Sequence, residues 1–207
     1  MKKRLSTVVL CLLLCASIWA QINPYEKDIK TVYDTIAAAT HRGDWDKVLD
    51  HTYPKIFEIA PREQMRELIA KTFTDTSIMK VTIVEGKADS VSKDTFLMND
   101  ELFVLLYDSK QMQFVITQAL SEPEKDHDMM FSMMKSIFIK QYGEENVIFD
   151  KEKAQFDIVK KKGVNLCSNI SPTRNKDSWT IMEMQFENPT LIKQLLSEEV
   201  IEWVKKH

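Results

Sequence analysis

Apolar residues recur along this chain with two different periods, and the order of those periods is what most limits its fold. Tyr25, Ile29, Val32, Tyr33 and Ile36 fall at helical spacing and form one stripe. Asn23, Pro24 and Glu26 stand where a cap, a first helical residue and a capping-box partner belong, and Gly43 is placed to end the helix. Asp44 opens a short second helix through Trp45, Val48 and Leu49, which stops before Pro54. A third, starting at Pro61, is expected to bury Met65, Leu68, Ile69 and Phe73.

Period two then takes over. Met79, Val81 and Ile83 alternate, and Glu85-Gly86-Lys87 reads as a bend or bulge. Phe96 and Leu97 suggest a second strand, and the continuous apolar run at 102–107 a central one. Asp108-Ser109-Lys110 has turn chemistry and predicts a hairpin into 112–117. A polar link at 121–128 leads to a helix over about 129–141, closed by Gly143. Strands follow at Phe156 and Ile158 and, after an expected turn at Lys161-Lys162-Gly163, at Val164, Leu166 and Ile170. The polar loop 171–177 precedes a strand over 179–186. Asn188 and Pro189 begin a last helical segment carrying Leu191, Ile192, Leu195, Leu196, Val200, Ile201 and Val204. Runs of helices and runs of strands without strict alternation predict an α+β fold. Its curved, largely antiparallel sheet is packed by N-terminal helices, a mid-chain helix and a C-terminal helix. One domain over 21–207 is expected, with a possible internal boundary near 121–128.

The opening twenty residues read as an export leader. Lys2, Lys3 and Arg4 precede an apolar stretch at 8–14, and small Ala20 suits the residue before a cut at Gln21. The apolar part is shorter than the roughly 20 residues that span a bilayer. Leu10 and Leu14, before Cys11 and Cys15, are wrong for lipid attachment. The leader holds three of the 28 basic residues and none of the 31 acidic ones, so its loss takes the formal charge from −3 to −6. That balance argues against a nucleic-acid partner and against docking on anionic lipid. Only Cys167 survives the cut, so packing and not a disulfide must hold the remaining 187 residues together. The expected destination is a periplasm or the exterior, with no membrane span in the mature chain.

The stretch 36–39, the Gly43-Asp44-Trp45 turn and the Val48-Leu49 pair resemble the opening of the nuclear-transport-factor-2-like superfamily over about 100 residues. The resemblance implies a long first helix and a short second one laid over a curved sheet around an apolar pocket. Members of that superfamily include both enzymes and binding modules, so fold alone does not settle function.

Chemistry is sparse. His41, Asp44, Asp46, Asp50 and His51 form the densest polar cluster, and His41, Asp44, Asp46 and His51 are the candidate catalytic residues because imidazole and carboxylate share acid–base work. Helix capping and a solvated surface explain the same residues. Arg42-Gly43-Asp44 spells an adhesion tripeptide whose Gly and Asp already have stop and cap roles. Met129, Met130, Met133 and Met134 crowd one helix and are the candidate ligand-binding residues. Thioether sulfur suits Cu(I), but with Phe131, Ile137 and Phe138 the four also make a core-facing apolar arc. Neither a metal nor a cofactor is expected. There is no Gly-x-Ser-x-Gly elbow, Cys167 reads as a buried structural thiol, and four glycines at helix ends and turns leave no phosphate-cradling loop. The carboxylate pairs Glu144-Glu145, Glu198-Glu199 and Asp126/Asp128 read as helix-start charge or wet surface. The leading expectation is an exported, non-enzymatic binding or accessory protein for a small apolar ligand or an envelope partner. The alternative is an enzyme of the same architecture using an Asp/His pair on a small apolar substrate.

Overall fold

The computed structural model describes residues 23–122, 127–171, 176–184, 186 and 188–207. The expected leader and its cut site lie outside the described residues, as do parts of the 121–128 link and the 171–177 loop. The architecture is α+β, built on an open, five-stranded antiparallel sheet.

Helix α1 (Glu26–Arg42) starts from a turn made by Asn23, whose Oδ1 accepts from the Tyr25 amide at 2.8 Å. The same buried side chain donates to the Ser92 carbonyl at 2.7 Å, tying the helix start to the sheet. Glu26 does not close a capping box; it pairs instead with Lys30 one turn on, at 2.8 Å. Gly43 ends the helix at φ 70°, and the Asp44 amide reaches back to the Ala39 carbonyl. Asp44 then caps α2 (Trp45–Asp50) by accepting from the Lys47 amide, as expected. After the single turn α3 (Ile56–Ile59) comes α4 (Arg62–Thr74). The burial expected of α4 is corrected: none of its residues is buried, and Leu68 is 61% exposed. The reason is that α4 lies at the margin of the fold, mainly against the short α2 and one edge strand, β1. Phe73 stacks on Trp45, and Arg62 and Arg66 pair with Asp50 and Asp46.

The strands are longer than their sequence suggests. β1 (Lys80–Met98) absorbs Phe96 and Leu97, which were expected in a separate strand, and β2 (Glu101–Val115) runs straight through Asp108-Ser109-Lys110. The hairpin turn lies at Asn99-Asp100 instead, with φ of 51° and 65°, the conformation that residues such as Asn and Asp tolerate best. β4 (Gln155–Asn169) likewise continues through Lys161-Lys162-Gly163. The two expected turns face each other: Asp108 is paired with Gly163, and the register shifts just beyond. Both polar triplets are therefore spent on one bulge in the middle of a long pair, where extra residues bend the strand without ending it. Glu85 and its neighbours also mark a shift in β1, as expected.

α5 (Thr117–Ser121) and α6 (Asp128–Tyr142) lead to β3 (Val147–Asp150), and β5 (Trp179–Glu183) follows β4. The order is β1-β2-β4-β3, with β5 on the same side of β4 as β3 but at its other end. The final segment is two helices, not one. Asn188 caps α7 (Pro189–Leu195), the chain breaks at Leu196, and the Ser197 hydroxyl caps α8 (Glu198–Lys205).

Successive residues of a strand face opposite ways. Phe103, Leu105, Leu166 and Met182 point to one face and pack under α7 and α8. Leu102, Val104, Leu106 and Cys167 point to the other, beneath Ile29 and Val32 of α1. Farther along the strands Phe114, Phe156 and Ile158 meet Phe131 and Phe138 of α6. Between the α1 and α6 clusters lies a polar belt.

Candidate functional site

The belt begins at Asp108, which follows Leu102, Val104 and Leu106 on the face that α1 covers. Asp108 is 1% exposed. Its Oδ2 accepts from the Tyr33 hydroxyl of α1 at 2.9 Å. Burial pushes the Tyr33 phenol up from its ordinary value, and the charge of Asp108 and the bond to it act in the same direction. Gly163 makes room for this carboxylate: a Cβ there would stand 1.9 Å from Asp108 Oδ1. Lys110 and Lys160, one from each strand of the bulged pair, hold the two carboxylate oxygens of Glu183, Lys160 at 2.8 Å. Burial alone would raise the Glu183 carboxyl, but the two ammonium groups outweigh it and hold it below the ordinary value.

A cavity of about 250 Å³ lies over this floor. α1 supplies one wall through Tyr33, Ile36, Ala37, Thr40 and His41, and α2 and the residues after it supply Val48, His51 and Thr52. Ile83 and Gly86 of β1, Asp108 and Lys110 of β2, Asn165 of β4 and Ile181 of β5 complete it. Gly86 matters here because a Cβ would come within 3.3 Å of the Tyr33 hydroxyl. Two buried atoms of the floor, Asp108 Oδ1 and Asn165 Nδ2, have no hydrogen-bond partner among the described residues. Leaving such an atom unpaired costs about 1–3 kcal/mol. The lining is thus mixed: Ile36, Ala37, Val48, Ile83 and Ile181 are apolar, and the helices and the sheet both add polar groups, Tyr33, Thr40, His41 and His51 from above and Asp108, Lys110 and Asn165 from beneath.

Of the candidate residues, His51 is carried to this cavity. It is 5% exposed, and its Nδ1 lies 3.1 Å from the Trp179 carbonyl. A carbonyl only accepts, so Nδ1 carries the proton and Nε2 is the nitrogen without a partner among the described residues. The loop after α2 is pinned to β5 by the Ile181 amide, which donates to the His51 carbonyl at 2.7 Å. His41, exposed at the end of α1, reaches the rim of the same cavity. Asp44 is occupied as a cap, and Asp46 faces Arg66 at 3.1 Å on open surface. The cluster His41, Asp44, Asp46 and His51 is therefore not brought together. The carboxylate that shares a cavity with the two imidazoles is Asp108.

The methionines of α6 divide. Met130 and Met134 pack against the Phe131 and Phe138 cluster, while Met129 and Met133 are 86% and 57% exposed. No group of three or more His, Cys, Asp or Glu able to hold a metal ion occurs among the described residues. No described helix is long and apolar enough to cross a membrane. Cys167 is buried, and burial first, then the charge of Asp108, pushes its thiol up, far from a reactive thiolate.

Reading the sequence alone misses Tyr33, Asp108, Lys110, Asn165 and Glu183. The available signal was the alternation itself: Asp108 and Lys110 continue the inward series of Leu102, Val104 and Leu106 if the strand is not ended at 108. No family model matches the chain, and no curated protein and no solved structure matches it either.

Proposed function

We propose that this chain is an exported binding protein whose cavity between α1, α2 and the sheet holds one small molecule with an apolar body and a hydrogen-bonding head. A single observation carries the reading. Asn165 and Asp108 line the cavity, and Asn165 Nδ2 is buried there without a partner among the described residues, a cost offset when the amide turns to meet a ligand's polar head. The apolar body lies along Ile36, Val48, Ile83 and Ile181. The architecture expected from the likeness to the nuclear-transport-factor-2-like superfamily accords with this reading, since a pocket between the first helices and a sheet is what that likeness implies.

Ala37 lines the cavity and is half-buried, so Ala37→Trp fills the space from the helix side. Protein purified from its own compartment retains a small-molecule mass in native mass spectrometry, and it takes up the apolar dye phenylnaphthylamine with a rise in fluorescence. A37W does neither while keeping its circular dichroism. Absence of both signals in the unaltered protein, or equal dye uptake by A37W, sinks the proposal.

A second reading, an acid–base enzyme using His51 and Asp108, is favoured by the commitment of His51 Nδ1 to Trp179. That bond orients the ring and leaves Nε2 as a proton acceptor. Incubation with a metabolite extract, followed by mass spectrometry against His51→Ala, separates the two. Conversion that H51A abolishes supports the enzyme, and no conversion leaves binding alone.

A further inference from the structure

Most of the polar groups around the cavity have spent their protons inside the protein. Tyr33 donates its hydroxyl proton to Asp108, Thr40 to the Ile36 carbonyl and Thr52 to the Val48 carbonyl. What these three oxygens have left to offer is lone pairs. His51 repeats the pattern: its Nδ1 proton goes to the Trp179 carbonyl, and Nε2 is left as an acceptor. Unlike Asp108 Oδ1 and Asn165 Nδ2, this nitrogen is not sealed among protein atoms, so on a buried residue that lines the cavity it opens on the cavity itself. Donors are fewer. The Lys110 ammonium is turned to Glu183, which leaves the Asn165 amide. Formal charges cancel, since Lys110 and Lys160 stand against Asp108 and Glu183. The apolar lining, Ile36, Val48, Ile83 and Ile181 in the main, is branched and aliphatic. At about 250 Å³ the space is just smaller than the roughly 300–1,000 Å³ of most small-molecule sites.

From these commitments we infer that the ligand is a compact, uncharged aliphatic alcohol whose hydroxyl donates to His51 Nε2 and accepts from the Asn165 amide once that side chain turns. This rests on the binding reading above and adds the ligand's class. A hydroxyl is the smallest head that both donates and accepts. A ketone or an ether only accepts, and so offers nothing to His51. An ammonium only donates, and a carboxylate meets the like charge of Asp108. Either ion also brings an unbalanced charge into a belt whose charges cancel, which costs more than burying a neutral head.

The test is calorimetric titration of one aliphatic body carrying different heads: menthol, menthone, menthylamine and menthane carboxylate, at about pH 8, where the amine is still an ammonium. Menthol binds about fivefold more tightly than menthone, the worth of one neutral hydrogen bond, and both ions bind more weakly than either. His51→Asn sets an amide nitrogen where Nδ1 stands, which keeps the bond to Trp179 and deletes the acceptor. In H51N, with its circular dichroism unchanged, menthol falls to the level of menthone and menthone stays where it was. Should H51N not fold, the ranking of heads on the unaltered protein decides alone. Equal affinity for menthol and menthone, tightest binding by either ion, or a menthol preference that survives in H51N overturns the alcohol while the cavity reading stands. So does menthol binding that A37W leaves intact, or failure of every head to bind a protein that takes up phenylnaphthylamine. Absence of both dye uptake and a retained mass removes both.

Discussion

The two faces of the same strands are built differently. Phe103, Leu105 and Leu166 point into a face closed by α7 and α8, where the buried polar groups are the Tyr53 hydroxyl and Ser168, which donates to Glu101. Their neighbours one residue along, Leu102, Val104 and Leu106, begin equally dry, but the series continues into Asp108 and Lys110, and α1 and α2 cover it incompletely. One face is optimised for packing. The other keeps a carboxylate, an amide and a Lys–Glu–Lys group under a cavity, an arrangement that burial alone disfavours. Buried polar groups are therefore gathered on the α1–α2 face beside an apolar cluster, while the α7–α8 face is mainly packing, although both are written on alternate residues of two strands.

Breaking the dry face has the largest effect. Leu105 is fully buried, so Leu105→Ala costs about 3 kcal/mol through lost burial and the cavity left behind, read as a lower urea midpoint. At the centre of the polar belt, Gly163→Ala sets a methyl against Asp108 and costs about 2 kcal/mol, measured the same way. Restoring part of that loss with Asp108→Ala in the same chain would show that the clash, not the backbone, is responsible. Next comes Tyr33→Phe, which deletes the hydroxyl that donates to Asp108 and costs about 1.5 kcal/mol. A Tyr33→Phe variant as stable as the parent would mean that Asp108 has another donor.

A smaller effect probes the contrast by pH. The folded-state Glu183 carboxyl is held below its unfolded value by Lys110 and Lys160, so its contribution is fully present above the ordinary glutamate range, about 4.3. That contribution is lost as pH falls through the lower folded value. Glu183→Gln removes this part of the acid-side decline, so the gap between variant and parent narrows as pH drops below about 4.3. A constant gap across that window would show that the two lysines do not act on Glu183. The smallest effect belongs to α4: Leu68→Ser, at a 61% exposed position, shifts stability by no more than about 0.5 kcal/mol.

Legibility followed the range of the interaction. The Gly43 stop, the Asp44 cap, the Gly143 stop and the Asn188-Pro189 start are local, and each is found where its chemistry put it. The single long C-terminal helix failed because Ser197, a cap as good as Asn188, was passed over inside an apolar run. Met65, Leu68, Ile69 and Phe73 have a helical stripe, but a stripe does not say whether the middle of a sheet or only an edge strand and a short helix will cover it. Of the site, His41 and His51 were named from sequence for the wrong companions, and Asp108 was hidden because it was read as a turn.

Local chemistry along the chain was enough to set which segments are helices and strands, where most of them are punctuated, and hence an α+β chain whose strands pair antiparallel. These follow from periodicity and from residue types acting over a few positions. Long-range pairing was needed to make Asp108-Ser109-Lys110 and Lys161-Lys162-Gly163 meet as one bulge and not as two turns, and to converge Asp108, Asn165 and His51 on one cavity. A triplet with turn chemistry folds back or bends depending on the strand beside it, and that strand is supplied by residues far away in the chain.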